Sequence, residues 1–169
     1  MSLKQLTRMT ICSVFVVVLQ LVFSHLPHIQ PLTALFMVYA AYFGFYETEL
    51  LMTLGLFFSS FLLGFGPWLA WQLLSFTIVI GLWYGGLVYF LGKGRKRHTL
   101  LRQLLWAGFC AVFYGLILDA CLAYVYGIPV WSYLLRGFSF NIAHAVVTMV
   151  CYLVCLMVLR KNPPAAHSK

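Results

Sequence analysis

Acidic residues are nearly absent from this chain: Glu47, Glu49 and Asp119 are the only three in 169 residues. Charge of either sign is scarce as well, at 8% of the sequence, against roughly 25% in a soluble domain. That shortage excludes a water-soluble core. With 63% of the residues hydrophobic, so short a chain has far more apolar surface than one small domain hides from water, and the solvent for it is lipid. Catalytic vocabulary is equally thin. No GxxxxGKS or GxxxxGKT loop occurs, so the chain has no recognisable means of hydrolysing ATP. HExxH, GxSxG and usefully spaced carboxylate pairs are also missing, which points away from an enzyme. Cys12, Cys110, Cys121, Cys151 and Cys155 lie in apolar runs without CxxC spacing and read as polarizable packing residues. His25 and His28 stand three apart, but Pro27 between them spoils a helical ligand face. Neither a metal nor a catalytic cofactor is expected.

What the chain does have is apolar runs, six of them, over residues 9–24, 32–46, 50–65, 68–91, 104–126 and 137–159. Each reads as a transmembrane helix, although the second and third are short for a full span and one of them is tilted, broken or re-entrant. Pro27 and Pro31 end the first run, the acidic pair Glu47 and Glu49 the second, and GFGP the third. GKGRKRH follows the fourth run, YGIP the fifth and RKNPP the sixth. The expectation is an all-α membrane protein, residues 1–169 forming one integral membrane domain. Lys4 and Arg8 precede the first run as in a secretory signal, but no small-x-small cleavage site follows, so the run reads as a retained helix. NPPAAHSK at the other end reads as a frayed tail.

Orientation follows from the basic residues. With both termini in the cytoplasm, the inner side holds Lys4, Arg8, Lys93, Arg95, Lys96, Arg97, Arg102, Arg160, Lys161 and Lys169, and the outer side only Arg136. GKGRKRH, lying between two spans, is suited to anionic headgroups rather than nucleic acid. Trp68, Trp71, Trp83, Trp106 and Trp131 mostly fall near helix ends, as an interfacial belt requires.

Polar groups inside spans are costly and therefore functional candidates. Asp119 lies about seven residues below the outer end of the fifth run, or roughly 10 Å deep. His144 reaches roughly 12 Å from Arg136 along the sixth run, so the two are expected to pair, either as interhelical glue or as ligand contacts. Asn141 shares the His144 face. Arg136 either meets an anionic group on a ligand or snorkels. Gln72 and Ser75 share a face in the fourth run, while Gln30 and Thr33 border the first loop beside His28. Together these predict a polar cavity open to the outside, rimmed by Trp68, Trp71, Tyr126, Trp131 and Tyr133.

Three segments carry a family likeness: HIQPLTALF after the first run, LLGFGPWLAWQLLSF at the third-to-fourth turn, and GFSFNIAHAVV opening the sixth. With six spans, both termini inside and no nucleotide site, the chain resembles the S components of energy-coupling factor transporters, and within them the cobalamin-specific group. The resemblance implies an S-component-like bundle in the bacterial cell membrane that captures a vitamin, cobalamin or a related corrinoid first, from outside. It also implies partners: a membrane coupling (T) subunit and two cytosolic ATPase subunits, whose ATP use topples the S component. His28, Gln30, Thr33, Trp68, Gln72, Asp119, Trp131, Arg136, Asn141 and His144 are then the substrate-binding candidates. The family's small-residue docking face on the first helix maps onto Thr10, Cys12 and Ser13, although MTICSVFVVV lacks the usual alanine pair. The first and third loops are short for this family, so a large ligand would sit shallowly. Two other classes remain: a small envelope or cell-shape assembly protein, which needs no polar cavity, and an intramembrane enzyme using Asp119 and His144 as acid and base.

Overall fold

Six α-helices and no strand make up the described part of the chain: α1 (Leu3–Phe23), α2 (Leu32–Phe43), α3 (Phe45–Leu63), α4 (Trp68–Phe90), α5 (Arg97–Val125) and α6 (Val130–Lys161). The computed structural model describes residues 3–25, 31–90 and 97–161, with side chains over 3–25, 31–87 and 100–159. Four helices are long and apolar enough to cross a membrane: Leu3–Phe23, Trp68–Leu87, Leu100–Val125 and Val130–Leu159. The chain is therefore a helical membrane protein. At 12 residues, α2 is about 18 Å long, well short of a hydrocarbon core of about 30 Å. It serves instead as the centre of the bundle, touching all five other helices.

Helices α2 and α4 begin where the apolar runs do, and α1, α3, α5 and α6 begin earlier. A hydrogen-bonded ladder needs no apolar side chain, so it continues into sequence that hydropathy alone assigns to loops. Glu47 and Glu49 accordingly lie in the opening turns of α3 rather than between spans. Gly44, at φ 90°, supplies the one-residue break before them, a backbone state that glycine tolerates and side chains resist. At the other end of the chain, Gly127 at φ 64° closes α5 with a 2.9 Å bond from the Ile128 amide to the Ala123 carbonyl and a 3.3 Å bond from the Gly127 amide to Tyr124. This is a Schellman closure. Pro129 then starts α6, whose first ladder bond runs from the Tyr133 amide to the Pro129 carbonyl at 3.2 Å. The sixth helix thus starts at Val130, seven residues before the expected Gly137, and Arg136 is helical.

Aromatic side chains fill the centre. Phe36 of α2 meets Phe76 edge-on at 5.2 Å, and Phe76 stacks on Tyr114 of α5 at 4.2 Å. Trp83 is fully buried, meets Tyr152 edge-on, and donates its indole N–H to the Met37 carbonyl at 2.9 Å. It belongs to the core and not to an interfacial belt, because a buried indole needs an acceptor and the α2 backbone provides one. Trp131, by contrast, is 79% exposed.

Helix α1 buries a single stripe, Met9, Ser13, Val16 and Gln20, at helical spacing. It faces α3, where Gly55 leaves room for the Val16 side chain. An ionic clasp fastens the same pair. Glu47 accepts from Arg8 and, at 2.6 Å, from Gln5 Nε2. The Arg8 guanidinium also lies 3.7 Å from the Phe43 ring centre and donates to the Tyr39 hydroxyl at 3.3 Å. Glu49 accepts from Thr77 of α4 at 2.8 Å. All five cysteines are free thiols.

Candidate functional site

Asp119 of α5 and Asn141 of α6 are buried and joined by a hydrogen bond from Asn141 Nδ2 to Asp119 Oδ2 at 2.7 Å. Two glycines make the bond possible. Gly115 stands one turn before Asp119, and a methyl group there would collide with the Asn141 amide oxygen. Gly137 stands one turn before Asn141, and a methyl group there would collide with Asp119 Oδ2. Each helix therefore offers a bare backbone patch to the other's polar group, GLILD facing GFSFN. Small residues allow such close approach, and the hydrogen bond fixes the register of the α5–α6 seam.

One turn further along α6, His144 is buried and its Nε2 lies 3.1 Å from the Thr33 hydroxyl of α2. Asp119 bonds to Asn141 and His144 to Thr33, so the α6 face that carries Asn141 and His144 meets both α5 and α2. The Tyr114 ring lies 5.6 Å from that of His144 and stacks on Phe76 at 4.2 Å, which carries the seam toward α4, the helix of Gln72.

Gln72 also lines a cavity of about 350 Å³. The cavity lies where α1 and α3 end and α4 begins, walled by Gln20 of α1 and Ser24 just beyond it, Trp68 and Gln72 from α4, Leu118 and Leu122 from α5, and Leu63 from α3. Gln20 is only 5% exposed, and its Oε1 has no hydrogen-bond partner among the described residues. Ser24 donates its hydroxyl proton to the Leu21 carbonyl at 2.8 Å, leaving lone pairs on Oγ. Its Trp68 indole folds over Gly66, whose lack of a side chain makes room for the ring. An arrangement of this kind holds a small molecule by apolar walls and a few fixed polar groups.

Of the residues expected to bind substrate, Thr33, Gln72, Asp119, Asn141 and His144 are buried in or beside this region, and Trp68 borders the cavity. Trp131 and Arg136 are exposed on the first turns of α6 and do not line it. His28 and Gln30 lie outside the described residues. Among the three docking candidates, Ser13 is buried in the bundle-facing stripe of α1, Cys12 is half-buried, and Thr10 is exposed with its hydroxyl bonded to the Leu6 carbonyl at 3.0 Å. They share no single free face. Ser13 turns inward because it falls four residues from Met9 and three from Val16, on the stripe that meets α3.

Gln20, Ser24, Tyr114, Gly115 and Gly137 were not visible from residue types alone. Gly115 and Gly137 had a readable signal, the four-residue spacing from glycine to a buried polar residue, twice over. Gln20 had one too, as the single amide inside an otherwise apolar helix stretch, LVF on one side and VVVL on the other. Among the described residues no three His, Cys, Asp or Glu side chains gather as a metal site. Comparison with known protein families, with curated proteins and with solved structures gives no match to this chain.

Proposed function

We propose that the chain is the substrate-binding S component of an energy-coupling factor importer, taking up a vitamin or vitamin precursor across a bacterial cell membrane. The observation that carries this reading is a cavity lined by Gln20 and Gln72 beside a buried polar seam, Thr33–His144 with Asp119–Asn141, inside a bundle of apolar helices. Such groups are costly in a membrane interior and are retained for a ligand, an ion or a partner. In this topology the six helices run N-in/C-in, the basic loops face the cytoplasm, and the cavity opens outward. The coupling (T) subunit and two cytosolic ATPase subunits supply the energy. Thr10 and Cys12, on the less buried side of α1, are the docking positions; Ser13 is spent on α3.

Cobalamin is the ligand the resemblance favours, and a corrinoid far exceeds a cavity of about 350 Å³, so it would rest at the mouth and remain partly exposed. The test is calorimetry of the purified chain in detergent against a vitamin panel that includes cobalamin and cobinamide, followed by uptake in cells. One compound should bind the isolated chain, and uptake should require the coupling module and ATP. Asn141→Ala and His144→Ala should each weaken binding. Failure of a folded chain to bind anything would favour the envelope-assembly reading. Turnover of a compound by the isolated chain would favour the enzyme.

A further inference from the structure

We infer that the cavity between α1 and α4 takes a compact, uncharged, polar molecule of one or two rings that hydrogen-bonds with the Gln20 amide; this rests on the ligand-binding reading above. Size is the first argument. At about 350 Å³ the cavity lies near the lower end of small-molecule sites, which enclose most of their ligand's surface.

Charge is the second. The lining consists of leucines, one tryptophan, two amides and a hydroxyl, with no ionised side chain among the described residues. A carboxylate, phosphate or ammonium entering it would shed hydration and meet no counter-charge. Asp119, one residue from the lining Leu118, is engaged by Asn141 across the α5–α6 seam, and Arg136 is exposed away from the cavity.

Hydrogen bonding is the third. The Ser24 proton is given to Leu21, the amides of Gln20 and Gln72 each carry donors and an acceptor, and Gln20 Oε1 is buried without a donor. The walls thus suit a neutral polar ligand whose own N–H or O–H groups reach the Gln20 amide. A buried amide oxygen left unbonded is unfavourable in the empty protein, and a donor from the ligand relieves it. The Trp68 indole adds a flat apolar surface for a planar ring.

Matched pairs of neutral and charged heterocycles test the idea. The purified full chain in detergent is titrated with nicotinamide against nicotinate, and with pyridoxine against pyridoxal phosphate, alongside cobalamin, cobinamide and folate. At least one neutral donor should bind, at least tenfold tighter than its charged counterpart. Gln20→Met should weaken that binding about tenfold while leaving the melting temperature of the empty chain unchanged or higher, since it removes an unbonded amide. Tight binding of a charged vitamin or a corrinoid, with the neutral set silent, overturns the inference and leaves the importer reading standing. So does a Gln20→Met chain that melts lower yet binds normally, which would make the amide a packing group. A neutral compound bound with Gln20 dependence, but never taken up with the coupling module present, keeps the inference and removes the importer.

Discussion

Replacing Gly115 with alanine tests the α5–α6 seam most directly, because the added methyl meets a single defined obstacle. Its Cβ would land on the Asn141 side-chain amide, with the amide carbon at 2.5 Å and the nitrogen at 3.2 Å. Neither atom belongs to a flexible tip in open space: Asn141 is 1% exposed and held by Asp119. Three contributions decide the sign. Alanine favours the helix over glycine by about 1 kcal/mol. Overpacking a filled site costs about 1–3 kcal/mol. Turning Asn141 aside breaks its bond to the carboxylate, worth about 1.5–3 kcal/mol. The net is a loss of about 1.5–5 kcal/mol. Thermal unfolding of the purified variant in detergent reads it, with Gly85→Ala as the control, since a methyl at Gly85 meets nothing within 4 Å. The control should be neutral or slightly stabilising. Pairing Gly115→Ala with Asn141→Ala removes the obstacle, so the double variant should lose less than the sum of the two, by about 1–2 kcal/mol. A Gly115→Ala protein that melts like the parent, or a strictly additive double variant, would refute the reciprocal glycine–polar contact.

Three further substitutions follow from the packing. Trp83→Phe removes the indole bond to the Met37 carbonyl and leaves a void beside Tyr152, and should cost about 2–3 kcal/mol in the same unfolding assay; an unshifted melt would mean the core repacks freely. Ser13→Leu should destabilise the chain by about 1–3 kcal/mol through the α1–α3 contact; normal melting with lost coupling to partner subunits would return Ser13 to the docking surface. Glu47→Gln weakens the clasp with Arg8, whose side chains are each 23% exposed. Its cost should be only about 0.5–1 kcal/mol and should shrink as salt is added, so a salt-independent loss would count against an ionic origin.

The apolar runs made the helix count legible, since residues that face lipid or core must be apolar whatever their neighbours are. The starts of α2 and α4 were legible, at Leu32 and Trp68, but those of α3 and α6 were not, because Glu47, Glu49 and Arg136 sit on ladders that hydropathy does not report. Buried polar residues announced themselves by cost: Asp119, Asn141, His144, Thr33 and Gln72 all lie inside. Which of them meet depends on helix rotation and depth, and those follow from packing over the whole bundle. Trp83 looked interfacial by its distance from a helix end, yet the crossing of α2 beside α4 encloses it. Ser13 looked like a docking residue by its size, while the period of α1 turns it toward α3.

The brevity of α2 bears on how the protein is made. A helix of 12 residues gains too little from lipid to stay inserted by itself, so it depends on neighbours that leave the ribosome later. The last of them is α6: the Thr33–His144 bond joins residues 111 positions apart. Until α6 arrives, Thr33 lacks that partner and the seam between α2, α5 and α6 does not exist. The buried polar seam is thus completed by the final stage of membrane insertion, and a nascent chain released before α6 would carry most of the apolar helices without it.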